Sequence, residues 1–308
     1  MKIIKDFWRP MIVEAPIDAI FDAGSLDGFA LHGLPQSGAL AYTADPFGLW
    51  RDDHLHVFVE QFDYRDARGT IGVHIVDKQF RTVETRTVLR EPFHLSYPFI
   101  VEHDGETWMI PECCESGHLR IYRARTFPFD WVLAATIDLP AIDATPFRVG
   151  NRWWMFYAPV GSARERLTHL NLATAPDLLG PWSPHRGNPV WRHQSGARPA
   201  GPVLTSREGL VLPVQDCTRS YGSGLRLLKV DAIDGDVRLE PGGFMAAPVA
   251  AHPFVDGCHT LSPAGHVTLI DVKQRRFSFS GLVSRPLREL RRLRTGRAAK
   301  TMAGDGSE

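Results

Sequence analysis

The sequence predicts an all-β fold, a five-bladed β-propeller around a central channel, and three observations lead there. The first is a repeat of about fifty residues. Asp45-Pro46-Phe47, Tyr97-Pro98-Phe99, Thr145-Pro146-Phe147 and Gly201-Pro202-Val203 open four units, with prolines 52, 48 and 56 residues apart. The second is the pattern each opening leads into: a short apolar run, a tight turn and an alternating run, as in a β-hairpin. The third is composition. With 23 prolines and 27 glycines the chain is interrupted too often for a helical bundle, and an aromatic content of 10% excludes disorder. Four strands per fifty residues, five times over, fit radial sheets better than a sandwich.

Taken in order, residues 1–40 carry the apolar strand Met11-Ile12-Val13, which is expected to complete the last blade. Unit one turns at Asp52-Asp53 and continues as GTIGVHIVD and TVETRTVL. Unit two turns at Asp104-Gly105 and continues as HLRIYRAR and WVLAATI; units three and four turn at Gly150-Asn151 and Glu208-Gly209. A weaker fifth copy runs from Cys258 to Asp271. Residues 1–282 therefore read as one propeller domain. Residues 283–308 form a basic tail, helical or disordered. Seven basic residues between Arg285 and Lys300 face only Glu289, and Leu287, Leu290 and Leu293 recur at every third position. The 285–300 stretch suits docking on a partner or on an anionic membrane surface.

Lys plus Arg and Asp plus Glu number 35 each, so no overall field gathers nucleic acid. No apolar run approaches the roughly 18–20 residues of a membrane helix, and Asp6, Arg9, Pro10, Glu14 and Pro16 interrupt any signal-peptide core near the N-terminus. A cytoplasmic location is expected. Cys113, Cys114, Cys217 and Cys258 show no C-x-x-C spacing, so neither zinc nor a disulfide framework is expected.

Blade-opening strands converge on a propeller axis, and acids converge with them. Asp45 opens unit one, and Asp143 lies three residues before Pro146. Fourteen residues after the opening proline stand Glu60, Glu112 and Asp216, with Val160 breaking the rule in unit three. Carboxylates in alternating apolar strands are costly to bury unless paired or used. Two or three at one pole are what glycosidic cleavage needs: a proton donor, a base or nucleophile, and a neighbour that tunes them. His94, Tyr97, Arg198, Arg219 and His259 lie near the unit openings and suit sugar binding. Of Trp153 and Trp154, an alternating strand can present only one to a sugar, so at least one belongs between blades.

The motifs TADPFGLW, HLSYPFIVEHDGETWMIPE, RIYRARTFPFDW, GNRWWMF, LATAPDLLGPWSPHRGNPV, ARPAGPV, QDCTRSYG and HTLS resemble the N-terminal domain of plant glucosamine inositolphosphorylceramide transferases and its bacterial relatives. The resemblance covers roughly residues 8–275 and implies a propeller of the arabinanase, β-xylosidase and fructosidase type. It implies that Asp45 is base or nucleophile and Asp143 the modulator; the acid is then a glutamate of another blade, for which Glu112 is the candidate. It also implies that His259 lies near a structural calcium or sodium ion, with no cofactor otherwise required. The expected function is a glycosidase or transglycosidase acting on a saccharide or glycolipid. The alternatives are a non-catalytic glycan-binding module serving a glycosyltransferase, and a propeller transferase whose Arg198 and Arg219 grip the phosphate of an activated sugar.

Overall fold

The computed structural model describes residues 4–207, 209–233 and 235–277. The chain begins with β1 (Ile4–Val13), a short helix α1 (Ile17–Ala23) and β2 (Leu31–Gly33). Blade one is β3 (Ala41–Arg51), β4 (His54–Asp63), β5 (Arg68–Val76) and β6 (Thr82–Leu89). Blade two is β7 (Ser96–His103), β8 (Glu106–Glu112), β9 (Leu119–Thr126) and β10 (Asp130–Ile137). Blade three comprises β11 (Ala141–Val149), β12 (Arg152–Pro159), the single turn α2 (Glu165–Thr168), β13 (His169–Ala175), β14 (Ser183–Pro184) and β15 (Trp191–Arg192). Blade four is β16 (Leu204–Ser206), β17 (Gly209–Asp216), β18 (Gly224–Ala232) and β19 (Arg238–Met245). Blade five takes β20 (Leu261–Ala264) and β21 (Val267–Phe277) from the end of the described chain and β1 and β2 from its start, in the order β2-β1-β21-β20. The propeller is thus five antiparallel sheets, closed by the Met11-Ile12-Val13 strand, which pairs with Thr268–Ile270 of β21.

The predicted hairpins form for local reasons. Asp52 and Asp53 (φ 49° and 64°) and Asp104-Gly105 (φ 51° and 76°) put two successive residues in the left-handed region, as a two-residue turn between right-twisted strands requires. The middle strands are buried on both faces because each blade is sandwiched by two others. On β4, Leu55, Val57 and Val59 face Leu269 of blade five, while Phe58 between them packs on Met109 and Trp131 of blade two. On β12, Trp153 joins the core between blades two and three and its neighbour Trp154 the core between blades three and four. Both tryptophans are structural, each about 5% exposed. Each such aromatic contributes on the order of 2–3 kcal/mol of burial. The five apolar clusters correspond to the five blade interfaces.

Beyond the blade openings the inner strands turn apolar. Phe47, Phe99, Phe147, Pro202 and Pro263 line a channel cavity of about 370 Å³. Among the described residues no helix is long and apolar enough to cross a membrane. The basic stretch 285–300 lies outside the described residues.

Candidate active site

Three inner strands break register at the same place: between Ala44 and Phe47, between Ser96 and Phe99, and between Ile142 and Thr145. At each break a residue with a side chain enters the left-handed region: Asp45 (φ 52°), Tyr97 (φ 44°) and Asp143 (φ 51°). Such backbone costs on the order of 1–3 kcal/mol per residue and persists where the surroundings impose it; a bulge re-aims the side chain it carries. This corrects the repeat as the sequence presented it. The counterpart of Asp45 and Tyr97 in blade three is Asp143, and Pro146 stands past the bulge, paired with Met155. The residue opposite Ile142, where Glu60 and Glu112 stand in blades one and two, is Ala158. Val160, 42% exposed, lies beyond the strand.

Asp45 faces blade five. Its Oδ2 accepts the Tyr97 N–H at 3.1 Å, and its Oδ1 accepts the Thr260 hydroxyl at 3.1 Å and lies 3.7 Å from His259 Nε2. His259 Nδ1 lies 2.6 Å from Asp271 Oδ2, which also accepts the Asp45 N–H at 3.0 Å; Asp271 Oδ1 accepts the N–H groups of His259 and Thr260. The imidazole stacks on Trp8 with centroids 3.7 Å apart, and Tyr221 meets it edge-on. Burial pushes the Asp45 carboxyl up to about 6; His259 pulls it down, and Asp271 and Asp143 add to the rise. Burial opposes the imidazolium, but Asp271 and Asp45 outweigh it and hold His259 above its ordinary value. Burial would likewise raise Asp271, yet His259 and the backbone N–H groups bring it below the usual aspartate range.

Asp143 faces blade four. Arg198 donates to both its oxygens, from Nε to Oδ2 and from Nη2 to Oδ1 at 2.9 Å. Gln215 Nε2 adds a bond to Oδ2 at 3.3 Å. Burial raises the Asp143 carboxyl, against the pull of Arg198. The Oε1 atom of Gln215 is buried and has no partner among the described residues.

Glu60 and Glu112 complete the mouth. Glu112 is held by both oxygens: Oε1 accepts the Cys114 N–H at 2.9 Å and Oε2 the Ser96 hydroxyl at 3.3 Å. Glu60, 5% exposed, has His94 Nε2 3.5 Å from its Oε1. The acids lie in one another's field. Burial pushes Glu60 well above the usual glutamate range, and the charges on Asp45 and Glu112 push it further; Glu112 likewise adds to the rise of Asp143.

The structure therefore brings together Asp45, Glu60, His94, Glu112, Asp143, Arg198 and His259 of the sequence candidates. Three others take different places. Asp216 alternates with Gln215 on β17 and points the other way, bound to Arg226 Nε at 2.7 Å and to the Thr218 N–H at 2.9 Å. Arg219 is exposed, and no contact joins it to the cluster among the described residues. Tyr97 is buried in the wall, its hydroxyl 2.9 Å from Thr145 Oγ1, so it spaces Asp45 from blade three rather than meeting a ligand. Sequence reasoning left out Trp8 and Asp271 as site residues. Asp271 closes the weak fifth copy, a signal that was legible; Trp8 arrives only through ring closure.

The side chains of Asp45, His259 and Asp271 offer ligand atoms within 4.8 Å of one another, the arrangement a calcium or sodium ion would ask for. The same atoms also suit a protonated histidine, with a carboxylate near each ring nitrogen. Each of the four carboxylate oxygens already accepts a hydrogen from the protein or lies beside the His259 ring. No chemistry is routed through an ion.

Residues 34–240 match the family model described as glucosamine inositolphosphorylceramide transferase 1, N-terminal. The chain is 34% identical over 197 residues to the glucosamine inositolphosphorylceramide transferase 1 of Oryza sativa subsp. indica, covering 62% of this chain and 26% of that protein. It is 31% identical over 210 residues to the Arabidopsis thaliana protein of the same name, covering 67% and 27%. The chain thus spans about a quarter of the length of the curated relatives it matches. Among solved structures, a family 117 glycoside hydrolase of the marine bacterium Zobellia galactanivorans superposes with a TM-score of 0.55 at 14% identity, over 89% of this chain and 92% of that one. The α-L-arabinofuranosidase of Podospora anserina, solved with cellotriose, gives 0.58 at 9% identity, over 78% and 93%. These structural likenesses carry the fold. The family model, spanning most of the propeller, carries the assignment: the chain belongs to the family of the N-terminal domain of glucosamine inositolphosphorylceramide transferase 1.

Proposed function

We propose that the protein is a carbohydrate-active enzyme that cleaves or transfers a glycosyl bond at the acidic mouth of the channel. The carrying observation is the gathering of Asp45, Glu60, Glu112, Asp143 and Asp271, from four blades, in one buried cluster. Folding alone gives no reason to bury so many acids together, because each must be compensated. In this reading Asp45 either attacks the anomeric carbon or takes a proton from the water that does, and Asp143, fixed by Arg198, keeps a constant negative charge nearby. A mouth glutamate protonates the leaving oxygen; Glu112 is the sequence-based candidate.

The substrate in this reading is a neutral or amino sugar of a saccharide or glycolipid. Arg198 is spent on Asp143, and His259 lies between Asp271 and Asp45, which leaves Glu60 and Glu112 without a matching cation among the described residues. An acidic sugar or a phosphate would meet repulsion there. The unpartnered Gln215 Oε1 suits a sugar hydroxyl or ammonium. The names of the relatives, which include glucosamine and a ceramide lipid, support the same class.

The test is a screen of purified protein against aryl furanosides, neutral and amino pyranosides and uronides, with Asp45→Asn as the blank. Turnover of a neutral or amino glycoside, lost in Asp45→Asn while the fold is kept, is the expected result. Equal turnover by the blank would sink the scheme. A second reading is a binding module that serves a separate transferase domain, and the quarter-length match to the relatives favours it. It is distinguished by glycan binding in calorimetry with no turnover by the wild type.

A further inference from the structure

From the geometry of the two mouth glutamates we infer that Glu60, oriented by His94, is the proton donor, and that Glu112, hydrogen-bonded at both oxygens, is not. This rests on the reading above and names the residue that reading leaves open.

The two side chains hold matching positions in adjacent blades, opposite Ala44 and Ser96, at the residue before each bulge. Their surroundings divide them. Glu112 receives two hydrogens, one at each oxygen, and hydrogen bonds donated to a carboxyl group favour its charged form over its protonated one. Among the described residues, Glu60 has no hydrogen bond of that kind, and its neighbour is the His94 ring. His94 Nδ1 accepts the Gly69 N–H at 2.9 Å, which places the ring proton on Nε2, 3.5 Å from Glu60 Oε1. The other oxygen of Glu60 is thereby the one free to carry a proton. Of the neighbouring charges, Asp45, Glu112 and Asp271 resist a further anion there, while Arg198 pulls the other way, and the balance stays raised.

His94 is held in place as well. Its own N–H donates to Glu115 Oε2 at 3.0 Å, and Gly69 allows the ring and Glu60 to approach: a Cβ at residue 69 would lie 2.9 Å from Glu60 Oε1 and from His94 Cε1. Burial lowers the His94 pKa, so the ring is a neutral donor, which strengthens as Glu60 becomes anionic.

The step balances. Glu60 gives its proton to the glycosidic oxygen as the bond from that oxygen to the anomeric carbon breaks, and the electron pair leaves with the oxygen. If Asp45 has taken a proton from the attacking water, that proton and the one lost by Glu60 are exchanged through solvent. If Asp45 itself has bonded to carbon, Glu60 regains its proton from the water that releases the sugar.

Two measurements test this. Carboxyl-carbon NMR titration of glutamate-labelled protein needs no substrate: the glutamate with the highest midpoint should vanish in Glu60→Gln and persist in Glu112→Gln. The reverse would overturn the proposal. The second compares dinitrophenyl glycosides, whose leaving group needs no proton, with methyl glycosides of the same sugars in the screening panel. Glu60→Gln should lose about 10²–10⁴-fold on the methyl glycosides and little on the dinitrophenyl ones, and an equal loss on both would overturn the proposal. His94→Gln should shift the alkaline limb of the pH profile, and an unshifted limb would remove His94 as the positioning residue. If the wild type turns over no glycoside, the enzymatic reading fails; the titration still decides which glutamate holds the proton.

Discussion

Asp45 and Asp143 occupy the same bulge in blades one and three, at φ of 52° and 51°, yet one faces a histidine and the other an arginine. Arginine stays charged at any pH a protein survives, and its planar fork takes both oxygens of Asp143 at once. That half of the mouth is a permanent ion pair. On the other half, His259 sits between two acids, and Asp45 keeps a carboxyl raised to about 6, close to neutrality. The same backbone device thus supplies one carboxylate locked on an arginine and one that faces a histidine and can exchange a proton. Tyr97, the third residue in this place, has no charge and separates them, with its N–H on Asp45 and its hydroxyl on Thr145.

The comparison breaks most visibly if the fixed half is cut. Arg198→Met leaves Asp143, 1% exposed, without its counter-ion, and removing one partner of a buried pair costs on the order of 3–5 kcal/mol. Urea denaturation should show that loss, and the double variant Arg198→Met, Asp143→Leu should recover much of it. A loss under about 1 kcal/mol, the scale of an exposed ion pair, would mean that Asp143 is not anchored as described. Next in size is Gly69→Ala, which tests the wall carrying Glu60 and His94. The added Cβ would lie 2.2 Å from the Leu95 carbonyl, a backbone atom, so the strand must shift; about 1–3 kcal/mol of destabilisation is expected in thermal melts.

The exchanging half is sharpened by pH. Asp45 has a higher pKa folded than its ordinary 3.8, so the folded state binds its proton more tightly. Its contribution to stability falls as pH rises from about 3.8 to about 6. If Asp45 is base or nucleophile, kcat/KM should fall about tenfold per pH unit below about 6. His259→Gln removes a positive charge that pulls Asp45 down, so both the acid limb and the NMR midpoint of Asp45 should move up. Arg198→Lys, by contrast, keeps the charge and should leave the limb near its place. An acid limb that ignores His259 would end the distinction between the two halves.

Much of this was legible in the sequence, and what was not has a physical cause. The fifty-residue repeat, the Asp-Asp and Asp-Gly hairpins and the closing strand at Met11–Val13 are local signals, and the structure contains each. Asp45, Glu60 and Glu112 were found because their spacing repeats. The third unit misled because its proline, Pro146, lies two residues past the bulge; a motif records residue type, while the bulge is set by strand pairing. Asp216 misled through strand alternation, where one position of slip turns a side chain to the opposite face. Trp8 could not be found at all, since its contact with His259 joins residues at opposite ends of the described chain.

The smallest expected effect is also the one that separates the mouth from its surroundings. Asp216 has the residue type and the repeat position of a channel acid, yet it is bound to Arg226 and to the Thr218 N–H on the other face of β17. Burial would raise its carboxyl, but the Thr218 and Arg226 bonds hold it below the ordinary aspartate value. An acid lowered by folding contributes stability above its unfolded pKa and loses it as pH falls through the folded one. Asp216→Asn should therefore cost about 1 kcal/mol near neutrality, because Arg226 is partly exposed and screened, and nearly nothing in acid. Turnover and its pH profile should stay at the wild-type level. A loss of activity in Asp216→Asn on the scale of Asp45→Asn would mean that repeat position, rather than the direction a strand gives a side chain, decides which acids do the chemistry.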